Sequence, residues 1–369
     1  MDVKRIAGPV LGALLLAGVA GAIYKSSNKS AKQARDEAKA AAVVEIKGMV
    51  GSEKVAMFQD QAFIDALAKK GFRVRADKVG SRDIAQRDIS GYAFGFPSGA
   101  PAAIALQAKA KAKQAYPTFF TPMAIASWRS LAPTLRAEGV LRDGAGGIHV
   151  LNMKALLGLM GKEARWSDLK GNSAYSTNKS VLVNSTSLRT SNSAAMYLAL
   201  ASYVANGDNV VDSLSQADKV APLMASIFLR QGLQEDSSAG PFEDYTTMGI
   251  GKAPMVMVYE SQYLEYQARR AAPNPEMELM YPQPTIYAKH IVVPFNEDGA
   301  RFGALLASDP ELQAIAARYG FRTSDPALFA AFLKERKIKA PEALVDVVDP
   351  PSLEILERMI SSVEAKMQQ

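Results

Sequence analysis

From Val43 onward the chain repeats one local pattern three times: a short apolar run, a turn of glycine and serine, then an amphipathic helix. Val43–Val50 closes at Gly51-Ser52-Glu53-Lys54, and Val55, Phe58, Phe63 and Leu67 follow at a spacing that lines one helical face. Gly71 ends that helix. Residues 72–77 (FRVRAD) alternate as a strand and reach Gly80-Ser81-Arg82-Asp83, which predicts a second helix. Tyr92–Phe96 is a third strand, closed by Pro97-Ser98-Gly99 before a helix from Pro101. Strands alternating with helices predict an α/β fold with largely parallel sheets. In open sheets of this kind, ligands sit at the carboxyl ends of the strands. There the first turn of each helix presents unpaired amides and the positive end of its dipole. Ser52, Ser81 and Ser98 are therefore expected along one rim, where simple helix capping by serine is the competing role.

A second segment type follows. Residues 116–128 (YPTFFTPMAIASW) are apolar and extended, with prolines that disfavour a helix, and suit a passage between two lobes. Helices are expected around 129–138 and 152–160. A strand at 181–184 runs into Ser185-Thr186-Ser187, and Ser191-Asn192-Ser193 opens a helix over 194–204. This is the richest hydroxyl cluster in the chain. Residues 255–260 (MVMVYE) predict a buried strand ending on the Glu260 carboxylate. Residues 281–285 and 291–294 form a second extended passage, and 297–369 read as helices.

Composition narrows the function. The 369 residues, 48% hydrophobic and 22% charged, suffice for two domains or one bilobal unit. With no cysteine and only His149 and His290, disulfides, thiol nucleophiles and multi-histidine metal sites are excluded, and no cofactor is expected. The net charge of +6 sits mainly in residues 1–42, whose seven basic and three acidic side chains leave the remainder at +2. A nucleic-acid partner is not indicated. No Gly-x-Ser-x-Gly elbow or P-loop is present, and the histidines have no visible triad partners, so an enzyme is not expected.

The N-terminus carries its own signal. Lys4 and Arg5 precede an uncharged run from Ile6 to Tyr24, which as a helix spans roughly 28 Å against a hydrocarbon core of about 30 Å. Residues 1–24 are expected to be an uncleaved signal-anchor, or a secretory signal peptide cut after Ala20-Gly21-Ala22. A buried helix of the folded body is the third reading. Residues 25–42 (KSSNKSAKQARDEAKAAA) form a polar spacer.

The order of these segments, with GSEK at 51–54, VGSRDI at 79–84, YAFGFPSG at 92–99, FFTPMAIASW at 119–128, VLVNSTSLRTSNSAAMY at 181–197, VMVYESQY at 256–263 and GFR at 320–322, resembles class II periplasmic solute-binding proteins. These are the phosphate-, sulfate- and molybdate-binding group and their uncharacterised relatives. The resemblance spans nearly all of 43–369. It implies a two-lobed clamshell with two interlobe crossings, lobe 1 from 43–123 plus 288–369 and lobe 2 from 124–287, behind the N-terminal hydrophobic helix. It also implies hinge closure on a small polar or anionic ligand outside the cytoplasm, for an ABC-type transporter or a sensor. The ligand-binding groups would be Ser52, Glu53, Lys54, Ser81, Arg82, Ser98, Thr186, Ser187, Ser191, Asn192, Ser193 and Glu260. Arg82 would supply a bidentate contact. Glu260 would receive a cationic group or, more simply, form an interlobe salt bridge. The turns carry Glu53, Lys54 and Arg82 where the phosphate-binding members are glycine-rich, which argues against phosphate itself. The alternative is a clamshell that has lost its ligand and serves as an envelope scaffold. A polar, closable cleft would favour the receptor, and a cleft filled by its own side chains the scaffold.

Overall fold

The computed structural model describes residues 43–344 and 346–367. The expected signal or anchor helix and the polar spacer lie outside the described residues. Among the described residues no helix is long and apolar enough to cross a membrane.

The chain builds one mixed sheet of nine strands in the order β2-β1-β3-β9-β4-β8-β6-β5, with β7 added on β4. The strands are β1 (Val44–Val50), β2 (Phe72–Lys78), β3 (Phe94–Phe96), β4 (Tyr116–Trp128), β5 (Leu141–Asp143), β6 (His149–Asn152), β7 (Val256–Tyr259), β8 (Met277–Gln283) and β9 (Tyr287–Pro294). Only β1 with β2, β1 with β3 and β6 with β8 pair in parallel. Every pairing of β4 and β9 is antiparallel, which corrects the expectation of largely parallel sheets. Local alternation of apolar runs and helices cannot reveal strand direction once a long strand doubles back between sheets.

β4 organises the molecule. Its first half pairs with β9 through Pro122, and from Met123 onward it pairs with β7 and then β8. One 13-residue strand thus passes from one lobe into the other, and the chain returns through Gln283–Tyr287 between β8 and β9. Period-two alternation gives each face of β4 its own core. Met123 and Ile125 join one cluster, while Ala124 and Ala126 join another.

In lobe 1, α1 (Gln61–Lys69), α8 (Glu297–Ser308) and α9 (Pro310–Arg318) cover one face of the sheet, over Ile46, Phe63, Phe94, Phe96, Phe302 and Phe321. On the other face α2 (Ala100–Ala110) packs Leu106 against Met49, Ile84 and Val293. Gly48 is required in β1 because a Cβ there would lie 2.1 Å from the Phe94 ring. The second helix expected after Gly80 is a single 3-10 turn, Asp83–Ala85, and of residues 181–184 only Asn184 pairs, in an isolated bridge to Val256, instead of forming a strand. Both segments are held from outside by tertiary contacts.

Lobe 2 centres on α5 (Asn192–Ala205) and α6 (Leu214–Leu229), with α3 (Ala132–Ala137) and α4 (Met153–Gly161) around them and α7 (Glu260–Ala268) on the opposite face. The C-terminus corrects the expected boundary. β9, α8, α9 and Phe321 pack in lobe 1, while α10 (Pro326–Arg336) lies on α9 and contributes Phe329, Phe332 and Leu333 to the same core cluster as β7 and α7. α11 (Leu353–Met367) buries Ile355, Leu356, Met359, Ile360 and Val363 in the core of lobe 2. Both helices also touch lobe 1, α10 through α9 and α11 through α2, so they bridge the two halves of the fold.

Candidate interlobe binding site

The carboxyl ends of β1, β2 and β3 meet the start of α5 and the end of β7. Ser81 and Ser98 follow β2 and β3, and their Oγ atoms lie 2.8 Å apart. The Ser98 amide donates to Ser81 Oγ at 3.2 Å, and the Ser98 hydroxyl donates to the Glu53 carboxylate. Ser191 precedes α5 without a side-chain cap bond, and its hydroxyl lies 3.0 Å from that of Ser193. Ser193 in turn lies 2.8 Å from Thr186 Oγ1. These hydroxyls are spent on one another, which distinguishes the rim from ordinary helix capping.

Lys54 is the unusual member. Its side chain is 0% exposed and donates to Glu53, to Ser98 Oγ at 3.0 Å and to His290 Nδ1 at 3.0 Å. The ammonium also lies 4.8 Å from the Phe96 ring centroid. Burial pulls the Lys54 amine below its ordinary range, against the opposing pull of Glu53. His290 is held well below the usual imidazole range, first by burial and then by the charge of Lys54. His290 Nδ1 faces Lys54, and its Nε2 is buried among aromatic rings without a hydrogen-bond partner.

The lobes are closed on this cluster. Asn192 Nδ2 donates to the Ser98 carbonyl at 2.9 Å and lies 3.3 Å from the Tyr259 hydroxyl. The Arg82 and Asp83 amides donate to the Thr190 carbonyl at 3.0 and 3.3 Å. Ser52 and Ser238 hydroxyls are 3.3 Å apart. A Cβ on Gly80 would lie 2.5 Å from the Thr190 carbonyl oxygen, and one on Gly99 would lie 2.0 Å from Asn192 Oδ1. The apex of the cleft is filled by Glu53, Lys54 and Asn192 of the chain itself.

Three of the sequence-derived residues stand apart from this cluster. Arg82 is gripped by Glu357 of α11 at 2.6 Å, beside a cavity of about 370 Å³ that also takes in Arg189, Thr190 and Glu364. Glu260 is fully buried, and both its oxygens accept from Arg322 at 2.7 and 2.8 Å, with a third bond from the Tyr281 hydroxyl at 2.8 Å. Its carboxylate is buried and its charge is matched by Arg322 between the lobes. Ser187 holds the loop by its backbone, donating to the Glu235 carbonyl at 2.9 Å and accepting from the Ser191 amide. The residues sequence reasoning missed are His290, Tyr259 and Ser238. Tyr259 ends the predicted strand and could have been flagged from that position. His290 and Ser238 carry no local signal, because the fold alone brings them to the rim.

The whole chain, superposed on known structures, matches iron-bound HitA from Pseudomonas aeruginosa at 12% identity with a TM-score of 0.53, covering 88% of this chain and 98% of that one. The sulfate-binding protein SubI from Mycobacterium tuberculosis matches at 14% identity and a TM-score of 0.50, covering 85% and 96%. The periplasmic binding protein P5PA matches at 10% identity and a TM-score of 0.50, covering 88% and 99%. The chain has the class II periplasmic-binding-protein fold. No protein-family model matches the sequence, and no curated protein is similar to it. At such identities the likeness is one of fold. Within that fold the rim described here occupies the strand ends between the lobes, and among the described residues no group of three or more acids or histidines is placed to hold a metal ion.

Proposed function

We propose that this protein is an extracytoplasmic solute-binding protein that closes two lobes over a small polar ligand, serving an ABC-type transporter or a sensor, and that it is a binder and not an enzyme. The observation that carries this reading is a buried polar contact between the lobes: Asn192 donates to the Ser98 carbonyl and to the Tyr259 hydroxyl, and Ser81, Thr186, Ser191 and Ser193 are buried as well. Buried hydroxyls and amides add little net stability and cost much when unpaired, so a fold concerned only with holding two halves together gains more from apolar contact. When the lobes part about β4, the same groups line a polar cleft at the strand ends, the place where open α/β sheets take ligands. The N-terminal apolar run supports export, and an anchor there would keep the protein at the membrane surface.

One observation favours a second reading, a ligand-free clamshell that scaffolds an envelope complex: the apex of the closed cleft is filled by the chain's own Glu53 and Asn192 side chains. Thermal melting against sugars, amino acids, amines, carboxylates and oxyanions separates the two. A native-state ligand at about 1,000 times its dissociation constant adds about 4 kcal/mol, a shift of several degrees. A class-specific shift supports the receptor, and a flat panel supports the scaffold.

A further inference from the structure

We propose that Glu53 is a built-in substitute for an anionic ligand, so that the native cleft refuses small oxyanions, and that removing the Glu53 side chain uncovers a carboxylate-binding site. This deepens the reading of these strand ends as the ligand site and rests on it for its functional meaning.

The groups around Glu53 are those a carboxylate requires. The Ser98 hydroxyl and the Lys54 ammonium both donate to Glu53 Oε1, and the Ser81 hydroxyl supports Ser98 from behind. Lys54 is 0% exposed and Glu53 2%, so the pair is shut away from water and screened little by salt. A Cβ placed on Gly51 would meet Glu53 Oε1, Ser98 Oγ and Ser81 Oγ at 2.6, 2.7 and 2.8 Å, so these three atoms crowd one small volume. Nothing local dictates a carboxylate there, since Glu53 belongs to a three-residue 3-10 turn and accepts no cap bond from it. An incoming oxyanion would need the same ammonium and hydroxyl, and would meet the negative charge already on them. A neutral or cationic polar solute faces no such conflict.

The test compares the full-length native protein with Glu53→Ala by thermal melting in sodium formate, with the native protein at the same formate concentration correcting for general salt effects. Formate has the size and charge of the deleted carboxyl group. The expected result is a saturable rise of roughly 3 °C or more in Glu53→Ala beyond that of the native protein. Glu53→Gln, which keeps the volume filled, and Glu53→Ala/Lys54→Met, which removes the ammonium, should show no excess rise. An equal response in Glu53→Ala and the native protein overturns the proposal, as does an undiminished response in the Lys54 double variant. If Glu53→Ala accumulates unfolded, the readout becomes its folded yield on refolding, which should increase with formate. A yield indifferent to formate counts against the proposal. A formate-responsive variant alongside a native protein that binds no solute would remove the receptor reading and leave the role of Glu53 standing. A native protein that binds its solute, with a silent variant, would do the reverse.

Discussion

Replacing Arg322 by methionine, which keeps the length of the side chain and removes its charge, tests how the two lobes are pinned beside the crossing strand. Arg322 forms a bridge with Phe120 of β4 through both backbone groups, at 2.8 and 2.9 Å, and its guanidinium spans to Glu260 at the start of α7. The two side chains are 6% and 0% exposed. Breaking such a pair leaves a desolvated carboxylate with only the Tyr281 hydroxyl, a loss of about 3–5 kcal/mol. The carbonyls of Pro341 and Glu342 also lose their donor, adding about 1 kcal/mol each if water does not replace it. With an unfolding entropy of about 2.1 cal/mol/K per residue, a chain of 369 residues shifts by roughly 1–2 °C per kcal/mol, so Arg322→Met should melt about 5–10 °C lower. In Glu260→Gln/Arg322→Met the uncompensated charge is gone, so urea unfolding should show most of the ion-pair component restored and the carbonyl component still missing. A single variant within about 1 kcal/mol of the native protein would refute the reasoning, as would a double variant whose loss equals the sum of the singles.

Three further outcomes follow from the same geometry. His290 has a folded-state pKa below its unfolded value of 6.5, so its contribution to stability is intact above pH 6.5 and is lost as the pH falls below it, by up to about 1.4 kcal/mol per pH unit. Urea midpoints of His290→Gln between pH 5 and 6.5 should be less pH-dependent by about one proton, and an unchanged slope would contradict the burial of neutral His290. Gly80→Ala places a methyl against the Thr190 carbonyl and should cost about 1–3 kcal/mol in the closed form, giving a larger radius of gyration by solution scattering; an unaltered radius would mean that the lobes do not close through this contact. Arg82→Ala should cost only about 1 kcal/mol in urea, because Glu357 is 47% exposed, and should change solute affinity less than twofold; a tenfold loss would return Arg82 to the ligand site.

The candidate site was legible in part because two kinds of local signal coincide at strand ends. Glycine and serine at the ends of β1, β2 and β3 mark turns by backbone preference, and the predicted rim at Ser81 and Ser98 is a statement about turns as much as about ligands. Ser191-Asn192-Ser193 before α5 is legible for the same reason. Whether those groups cap a helix or meet another segment depends on contacts such as Lys54 with Ser98, 44 residues apart, and Asn192 with Ser98, 94 residues apart, which no local pattern encodes. Lys54 and Glu53 illustrate the difference. As a neighbouring acid and base in a turn they read as solvated, and only the approach of β3 and β9 buries them. Glu260 read as a ligand contact or an interlobe salt bridge and Arg82 as a ligand contact, and each is claimed by a partner, Arg322 and Glu357, that follows 62 and 275 residues later.

By itself the sequence determined several elements, among them β1 to β3 with the turns that close them, the long extended passage of β4 and the helix after Ser191, and it determined that no cysteine or histidine cluster is available for metal or thiol chemistry. These follow from backbone preference and side-chain chemistry, which act over a few residues. The tertiary structure decided strand direction, the packing of α10 and α11 across the expected boundary, and the occupancy of the cleft. Each of these depends on which apolar faces find one another and which charges are shut away from water together, and both are properties of the assembled fold.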